Sequence, residues 1–147
     1  MVGVHKSTAC RVIRRVSLAL SRRLPRYAHL PTEAESAVMK QQFRQASGIP
    51  GIVGCIDGTH VHIQAPSEHE WPGSTHDARI LRESQLSNTF EAGGVSGILL
   101  GDSGYPLKRW LMTPVVAPRT QQERRYNTIH AATRSTVERC IGVLKRR

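Results

Sequence analysis

The stretch Gly51-Ile-Val-Gly-Cys-Ile-Asp-Gly decides how this sequence folds. An apolar run bounded by glycine is typical of a buried β-strand, and Val61 and Ile63, which alternate with histidines, extend the predicted strand over 51–63. Asp57 ends the apolar run. A carboxylate there is costly to bury unless it is paired, hydrogen-bonded or bound to a metal. The stretch therefore predicts a buried strand that ends in a carboxylate with a partner, which is an opposite charge, a hydrogen-bond donor or a metal ion.

A second apolar run ends in the same way. Residues 97–100 predict a short buried strand, and Gly101 and Asp102 follow it, before Ser103-Gly. Two carboxylates on neighbouring strands repel each other, and a hard divalent cation such as Mg²⁺ or Mn²⁺ would relieve that repulsion. The spacing leaves open a second interpretation, in which Asp57 and Asp102 cap ordinary turns.

Helices are predicted on both sides of these strands. The helical spacing of apolar residues and the capping signals predict helices at residues 5–23, 32–46, 77–90 and 124–147. Residues 110–116 predict a further strand, which Pro114 places at the edge of the sheet.

The last predicted helix supplies a third acidic candidate. Glu138 flanks the apolar stripe of this helix, and Gly142, one turn later, offers no side chain to screen it. At this spacing the alternative is an ion pair with Arg134.

Two other metal candidates are weaker. Asp77 stands where a helix begins, a position that favours its charge, and a metal role is the alternative. His60 and His62 would point to one side of the strand, as in an H-x-H zinc site, but the spacing suggests no third ligand.

The net charge of +10 is concentrated at the two ends of the chain. Residues 1–31 hold seven basic and no acidic residues, and residues 119–147 hold eight basic and two acidic ones. A glycine turn before a basic-faced helix is typical of the second half of a helix-turn-helix, whose early polar residues reach base edges. The alternative is a solvated amphipathic helix. The candidate nucleic-acid-binding residues are Lys6, Ser7, Arg11, Arg14, Arg15 and Arg22.

The composition argues against several classes of protein. With 39 % apolar and 22 % charged residues, wholesale disorder is not expected. The longest apolar runs are far too short to span a membrane. Three cysteines without C-x-x-C spacing support neither a disulfide framework nor a cysteine zinc knuckle, and a reducing compartment is the simplest expectation.

Five motifs occur in one order along the chain. They are Gly54-Cys-Ile-Asp-Gly-Thr-His-Val, Trp71-Pro-Gly-Ser-Thr-His-Asp, Leu100-Gly-Asp-Ser-Gly-Tyr-Pro-Leu, Trp110-Leu-Met-Thr-Pro and Ser135-Thr-Val-Glu-Arg-Cys-Ile-Gly-Val-Leu-Lys-Arg-Arg. Together they resemble the DDE endonuclease domain of PIF/Harbinger transposases, a family that includes a domesticated vertebrate nuclease. Residues 3–15 resemble the end of that family's helix-turn-helix.

The resemblance implies an α/β fold with a ribonuclease-H-like mixed sheet flanked by helices. It implies a catalytic, metal-binding triad of Asp57, Asp102 and Glu138 that holds divalent cations, Mg²⁺ or Mn²⁺, and cleaves DNA phosphodiesters. It also implies DNA and a Myb-like protein as partners, and a nuclear location with the cytoplasm as a second compartment. No membrane is expected, because the apolar runs are short. Homo-oligomerisation stays open. The expected domains are a helical arm, 1–47, resembling part of a helix-turn-helix, and a nuclease-like domain, 48–147.

The chain departs from the family at one place. Between Gln64-Ala-Pro and Trp71-Pro-Gly-Ser, family members carry the second and third strands of the sheet, but only Ser67-Glu-His-Glu stands here. Two strands need about ten residues or more. We therefore expect an internally deleted and truncated member with a reduced sheet, in which the strands before Asp57 and Asp102 still pair. The alternative to an endonuclease is a catalytically inactive remnant that binds DNA or a partner.

Overall fold

The structure, a computed structural model, describes residues 5–59 and 77–146. Within these ranges no helix is long and apolar enough to cross a membrane. The chain divides into two compact units, Met1–Pro31 and Thr32–Arg147. The elements are α1 (Lys6–Ser21), α2 (Leu24–Tyr27), α3 (Glu33–Ser47), β1 (Ile52–Cys55), α4 (Asp77–Glu83), α5 (Gln85–Glu91), β2 (Ile98–Leu100), β3 (Leu111–Met112) and α6 (Gln121–Lys145).

The first unit consists of α1 and the short α2. His5 caps α1, because its Nδ1 atom accepts a hydrogen bond from the Ser7 backbone amide. The predicted helix is therefore present, but none of the α1 side chains is buried, and Ile13 and Leu20 of the apolar stripe are exposed. The similarity to a helix-turn-helix stays a prediction.

The second unit begins at α3. Thr32 and Glu35 form a capping box at the start of this helix, where the sequence places it: the Thr32 amide donates to Glu35 Oε2 at 2.8 Å, and the Glu35 amide donates to Thr32 Oγ1 at 3.3 Å. The expected domain division places this helix in the arm, and in the structure it packs against β1 and α6. Gly48 and Gly51 both have positive φ, so residues 48–51 form a tight turn into β1 and not a linker between domains.

The three described strands form a small parallel sheet in the order β1-β2-β3. Ile52 pairs with Ile98 and Cys55 with Leu100, which confirms that the strands preceding Asp57 and Asp102 are neighbours. The predicted strand over 51–63 is too long, because β1 ends at Cys55; residues 60–63 lie outside the described ranges. Asp57 therefore stands just beyond the strand end.

Two other predicted elements are shorter or divided. The strand over 110–116 is reduced to β3, since Pro114 has no amide hydrogen and the Val115 amide donates to the Asn127 side chain. β3 lies at the edge of the described sheet, as Pro114 predicted. The helix over 77–90 is two helices, because Ser84 ends α4 and its Oγ caps α5.

The core lies where α4 and α5 meet the sheet. Phe90 and Trp110 stack at the centre, with ring centroids 5.1 Å apart. Val53 of β1 and Leu99 of β2 belong to this core, and the acidic residues Asp57 and Asp102 follow the ends of these two strands. The buried cluster comprises Val53, Leu81, Phe90, Val95, Leu99, Tyr105, Trp110 and Leu111.

Candidate metal centre

Three aspartates meet beside the ends of β1 and β2. Asp57 follows β1, Asp102 follows β2, and Asp77 is the first residue of α4. One carboxylate oxygen of each lies within 4.8 Å of the others, and all three residues are partly buried. Three carboxylates this close repel one another unless a cation lies among them, and hard oxygen donors suit Mg²⁺ or Mn²⁺. The residues therefore fit a divalent cation.

Local backbone geometry fixes two of these side chains. The Gly104 amide donates to Asp102 Oδ1 at 2.9 Å, which holds Asp102 in a turn at the end of β2. The Asp77 carboxylate lies directly against Gly58, and a Cβ atom at position 58 would stand 2.1 Å from Asp77 Oδ1. Gly58 thus leaves the space through which Asp77 reaches the cluster.

Glu138 is not a member of the aspartate cluster, but it shares a contact with Asp57. Arg134 contacts both: its Nη2 is 3.3 Å from Asp57 Oδ1 and its Nη1 is 3.5 Å from Glu138 Oε1. The Arg134 side chain is 10 % exposed, whereas that of Glu138 is 56 % exposed. The ion pair that we kept as an alternative for Glu138 is present, and a metal-binding role for this residue stays a prediction.

Helix α6 presents Arg134 because side-chain hydrogen bonds attach this helix to the sheet. The Asn127 amide bonds both backbone groups of Val115, at 2.8 and 2.9 Å. One turn after Asn127, His130 contacts the end of β3, and two turns after Asn127, Thr133 contacts the end of β1. The remaining bonds join the Tyr126 hydroxyl to the Thr113 carbonyl, His130 Nε2 to the Met112 carbonyl, and Cys55 Sγ to the Thr133 carbonyl.

Tyr105 lies beside the aspartates and is a residue that sequence reasoning missed. Burial, together with the negative charges of Asp77, Asp102 and Asp57, raises the pKa of Tyr105 to about 12, although Arg134 partly offsets this effect. The hydroxyl therefore keeps its proton at neutral pH. In the sequence, Tyr105 is distinguished only by its place in the motif around Asp102, and that motif indicates no role for the tyrosine.

Buried His130 makes stability sensitive to pH. Burial lowers the pKa of His130 below its ordinary value of 6.5; the bond to Met112 opposes this shift and the nearby charge of Arg134 adds to it. Below pH 6.5 the unfolded chain binds more protons at this site than the folded chain, so the free energy of unfolding falls as the pH decreases. Above pH 6.5 the imidazole is neutral in both the folded and the unfolded chain, so this site no longer changes the free energy of unfolding with pH.

When the pH is lowered from about 8 to about 5.5, the free energy of unfolding measured in urea should decrease less in His130→Gln than in the wild type. Glutamine keeps an N–H group that can donate to the Met112 carbonyl, but it does not titrate. His29→Gln, at an exposed position, should retain the full wild-type decrease. Equal decreases in the wild type and His130→Gln would contradict this assignment.

The predicted nucleic-acid-binding residues are all exposed on α1 and its C-cap. Ser7 Oγ is hydrogen-bonded to His5 Nδ1 at 2.8 Å, and Arg11 donates to Thr8 Oγ1 at 3.4 Å. Their role stays a prediction, and the candidate zinc ligands His60 and His62 lie outside the described residues. The residues on this exposed surface are Lys6, Ser7, Arg11, Arg14, Arg15 and Arg22.

Comparison with known proteins identifies the class. A family model described as DDE superfamily endonuclease matches residues 67–147, more than half of the chain, and the chain belongs to this family. It is 34 % identical to "Putative nuclease HARBI1" of Bos taurus and 33 % identical to the Homo sapiens protein of that name; each comparison covers 97 % of this chain and 50 % of the relative. "Protein ALP1-like" of Arabidopsis thaliana is 22 % identical over 99 % of this chain and 47 % of its own length. No solved structure matches.

The comparisons also support an internal deletion. The chain spans about half the length of these relatives. The alignment with the bovine protein runs over 175 positions, whereas 97 % of this chain is about 143 residues, so about 32 positions have no residue here. The family match begins at residue 67, beside the place where the motifs predict the missing strands.

Proposed function

We propose that this chain is a divalent-metal-dependent endonuclease of transposase descent that cleaves DNA phosphodiesters. The observation that carries the proposal is the convergence of Asp57, Asp77 and Asp102, from three separate stretches, beside the ends of adjacent strands. Membership of the DDE superfamily endonuclease family supports it.

The proposed ligands are the triad Asp57, Asp102 and Glu138, with Asp77 as an additional carboxylate. When bound, Mg²⁺ or Mn²⁺ supplies activation of a water or a 3′ hydroxyl and stabilises the leaving oxygen. The chain's own contribution is to hold the carboxylates together. Gly58 makes room for Asp77, Gly104 fixes Asp102, and Arg134 balances the charge of Asp57.

The basic residues of the arm and of the last helix would bind the DNA backbone, so affinity should fall steeply as salt concentration rises. By resemblance to the family we also propose a Myb-like protein partner and a nuclear location.

The test is Mn²⁺ titration by calorimetry together with nicking of supercoiled plasmid. Wild-type chain should bind Mn²⁺ and nick the plasmid only when the metal is present. Asp57→Asn should abolish both, because it removes a charge that the strand end holds at the cluster. Glu33→Gln, an exposed charge change on α3, is the matched control and should behave as wild type. Unchanged Mn²⁺ binding by Asp57→Asn would refute the site.

A second candidate function is a catalytically inactive remnant that binds DNA. Two observations favour it: Arg134 already pairs with both Asp57 and Glu138, and about 32 positions of the relative have no counterpart in this chain. Filter binding across a salt series distinguishes the two functions. Steep salt dependence without metal-dependent nicking would support the remnant, and nicking would exclude it.

A further inference from the structure

The feature that carries a further inference is the buried guanidinium of Arg134. Its side chain is nine-tenths buried, and its Nε atom has no hydrogen-bond partner among residues 5–59 and 77–146. A buried charge with an unsatisfied donor is unfavourable unless its remaining contacts hold it firmly. Those contacts are the ion pairs with Asp57 and Glu138.

The Arg134 guanidinium forms ion pairs with two carboxylates at once. One guanidinium nitrogen approaches Asp57 at 3.3 Å, and another approaches Glu138 at 3.5 Å. A carboxylate has two oxygens with several lone pairs, so Asp57 can contact Arg134 and still contribute an oxygen to the aspartate cluster. Asp57 therefore belongs both to the aspartate cluster that fits a divalent cation and to the pair of carboxylates that Arg134 contacts.

We propose that Arg134 is a resident cation that fills the Asp57–Glu138 position, so that a second divalent ion must displace it. Arg134 is thus a positioning residue that sets how many metal ions the centre holds. The inference rests on the proposed function, because it requires a first divalent ion at the three aspartates.

Charge explains the expected behaviour. A divalent ion placed between Asp57 and Glu138 would meet the positive guanidinium at close range in a partly buried site, where electrostatic repulsion is strong. Wild-type chain should therefore bind one Mn²⁺ tightly and a second weakly. Replacing Arg134 by a neutral residue removes the competitor and leaves both carboxylates in place.

The experiment is calorimetric Mn²⁺ titration with electron paramagnetic resonance of the bound ions. Arg134→Gln should bind the second Mn²⁺ at least about tenfold more tightly than wild type. The six-line Mn²⁺ spectrum should broaden as the two ions couple. The double variant Arg134→Gln/Glu138→Gln should lose the second ion and keep the first. Arg44→Gln, a charge change at an exposed position on α3, is the control and should match wild type. Arg134→Lys keeps the positive charge but not the planar guanidinium, and the second Mn²⁺ should still bind weakly to it.

Three outcomes would overturn the inference. Two tightly bound ions in wild type would show that Arg134 does not compete. If the wild type binds one ion and Arg134→Gln binds the second Mn²⁺ no more tightly than the wild type, the proposed function remains but the role of Arg134 is purely structural. No Mn²⁺ bound to either chain would remove the proposed function and this inference together. If Arg134→Gln does not fold, Arg134→Met, whose apolar side chain packs where the buried stem lies, takes its place in the same measurements.

Discussion

Alanine at position 58 is expected to weaken Mn²⁺ binding by about 10- to 100-fold while leaving the melting temperature nearly unchanged. Its Cβ atom would lie 2.1 Å from Asp77 Oδ1 and 2.4 Å from Asp77 Cγ, so the two groups cannot occupy their present positions together. The Asp77 carboxylate is the mobile end of a side chain on the first turn of α4, and it can rotate away at small cost to folding. The clash therefore affects metal binding far more than stability.

Two controls separate this explanation from a general disturbance of the loop. Gly104→Ala would place its Cβ 3.1 Å from Asp102 Oδ1, a milder contact, and it should reduce affinity much less. In the double variant Gly58→Ala/Asp77→Asn the second change should add little, because both act through the same carboxylate. Additive losses would show that Gly58 does not act through Asp77.

Alanine at position 97 is expected to destabilise the fold by about 3 kcal/mol or more. Its Cβ would stand 2.3 Å from Val53 Cγ1 and 2.8 Å from Cγ2, at a backbone φ of +156° that residues with side chains rarely adopt. Val53 is buried in β1 and belongs to the core, so it has little room to move. Since whole domains are stable by only about 5–15 kcal/mol, this loss is a large share of the total.

Urea unfolding followed by circular dichroism measures the effect. Gly142→Ala is the matched control: it lies exposed in α6, and nothing stands within 4 Å of an added Cβ. This substitution should raise stability by about 0.5–1 kcal/mol, because alanine favours the helix more than glycine does. A wild-type midpoint for Gly97→Ala would show that β1 and β2 do not pack as closely as described.

The two strand-end aspartates could be predicted from sequence because an apolar run that stops at an acid is a local signal. The pairing of β1 with β2 confirmed that the strands before these two aspartates are adjacent in the sheet, as the family resemblance implied. Asp77 was harder to assign, because its place at a helix start already explains an aspartate. Its approach to the cluster depends on the absence of a side chain at Gly58, a contact between residues 19 positions apart that no periodicity reveals.

The limits of local reasoning are also visible in the strands and in α6. The hydrophobic pattern overestimated both β1 and the edge strand, because strand length depends on which backbone groups find a partner and not on apolarity alone. The i,i+4 spacing predicted the contact of Arg134 with Glu138, but its other contact, with Asp57, requires the tertiary attachment of α6 to the sheet. The packing of α3 on β1 was not predictable for a similar reason, since local sequence does not show that Gly48 and Gly51 form a turn between the two elements.

The side chain of Asn127 has a consequence beyond orienting its helix. By bonding both the amide and the carbonyl of Val115, it occupies the backbone groups of a residue just beyond the end of β3. A foreign strand that paired along this stretch as far as Val115 would first have to break both bonds. Asn127 thus withdraws one backbone position from edge-to-edge pairing, a hazard that grows as a sheet loses strands.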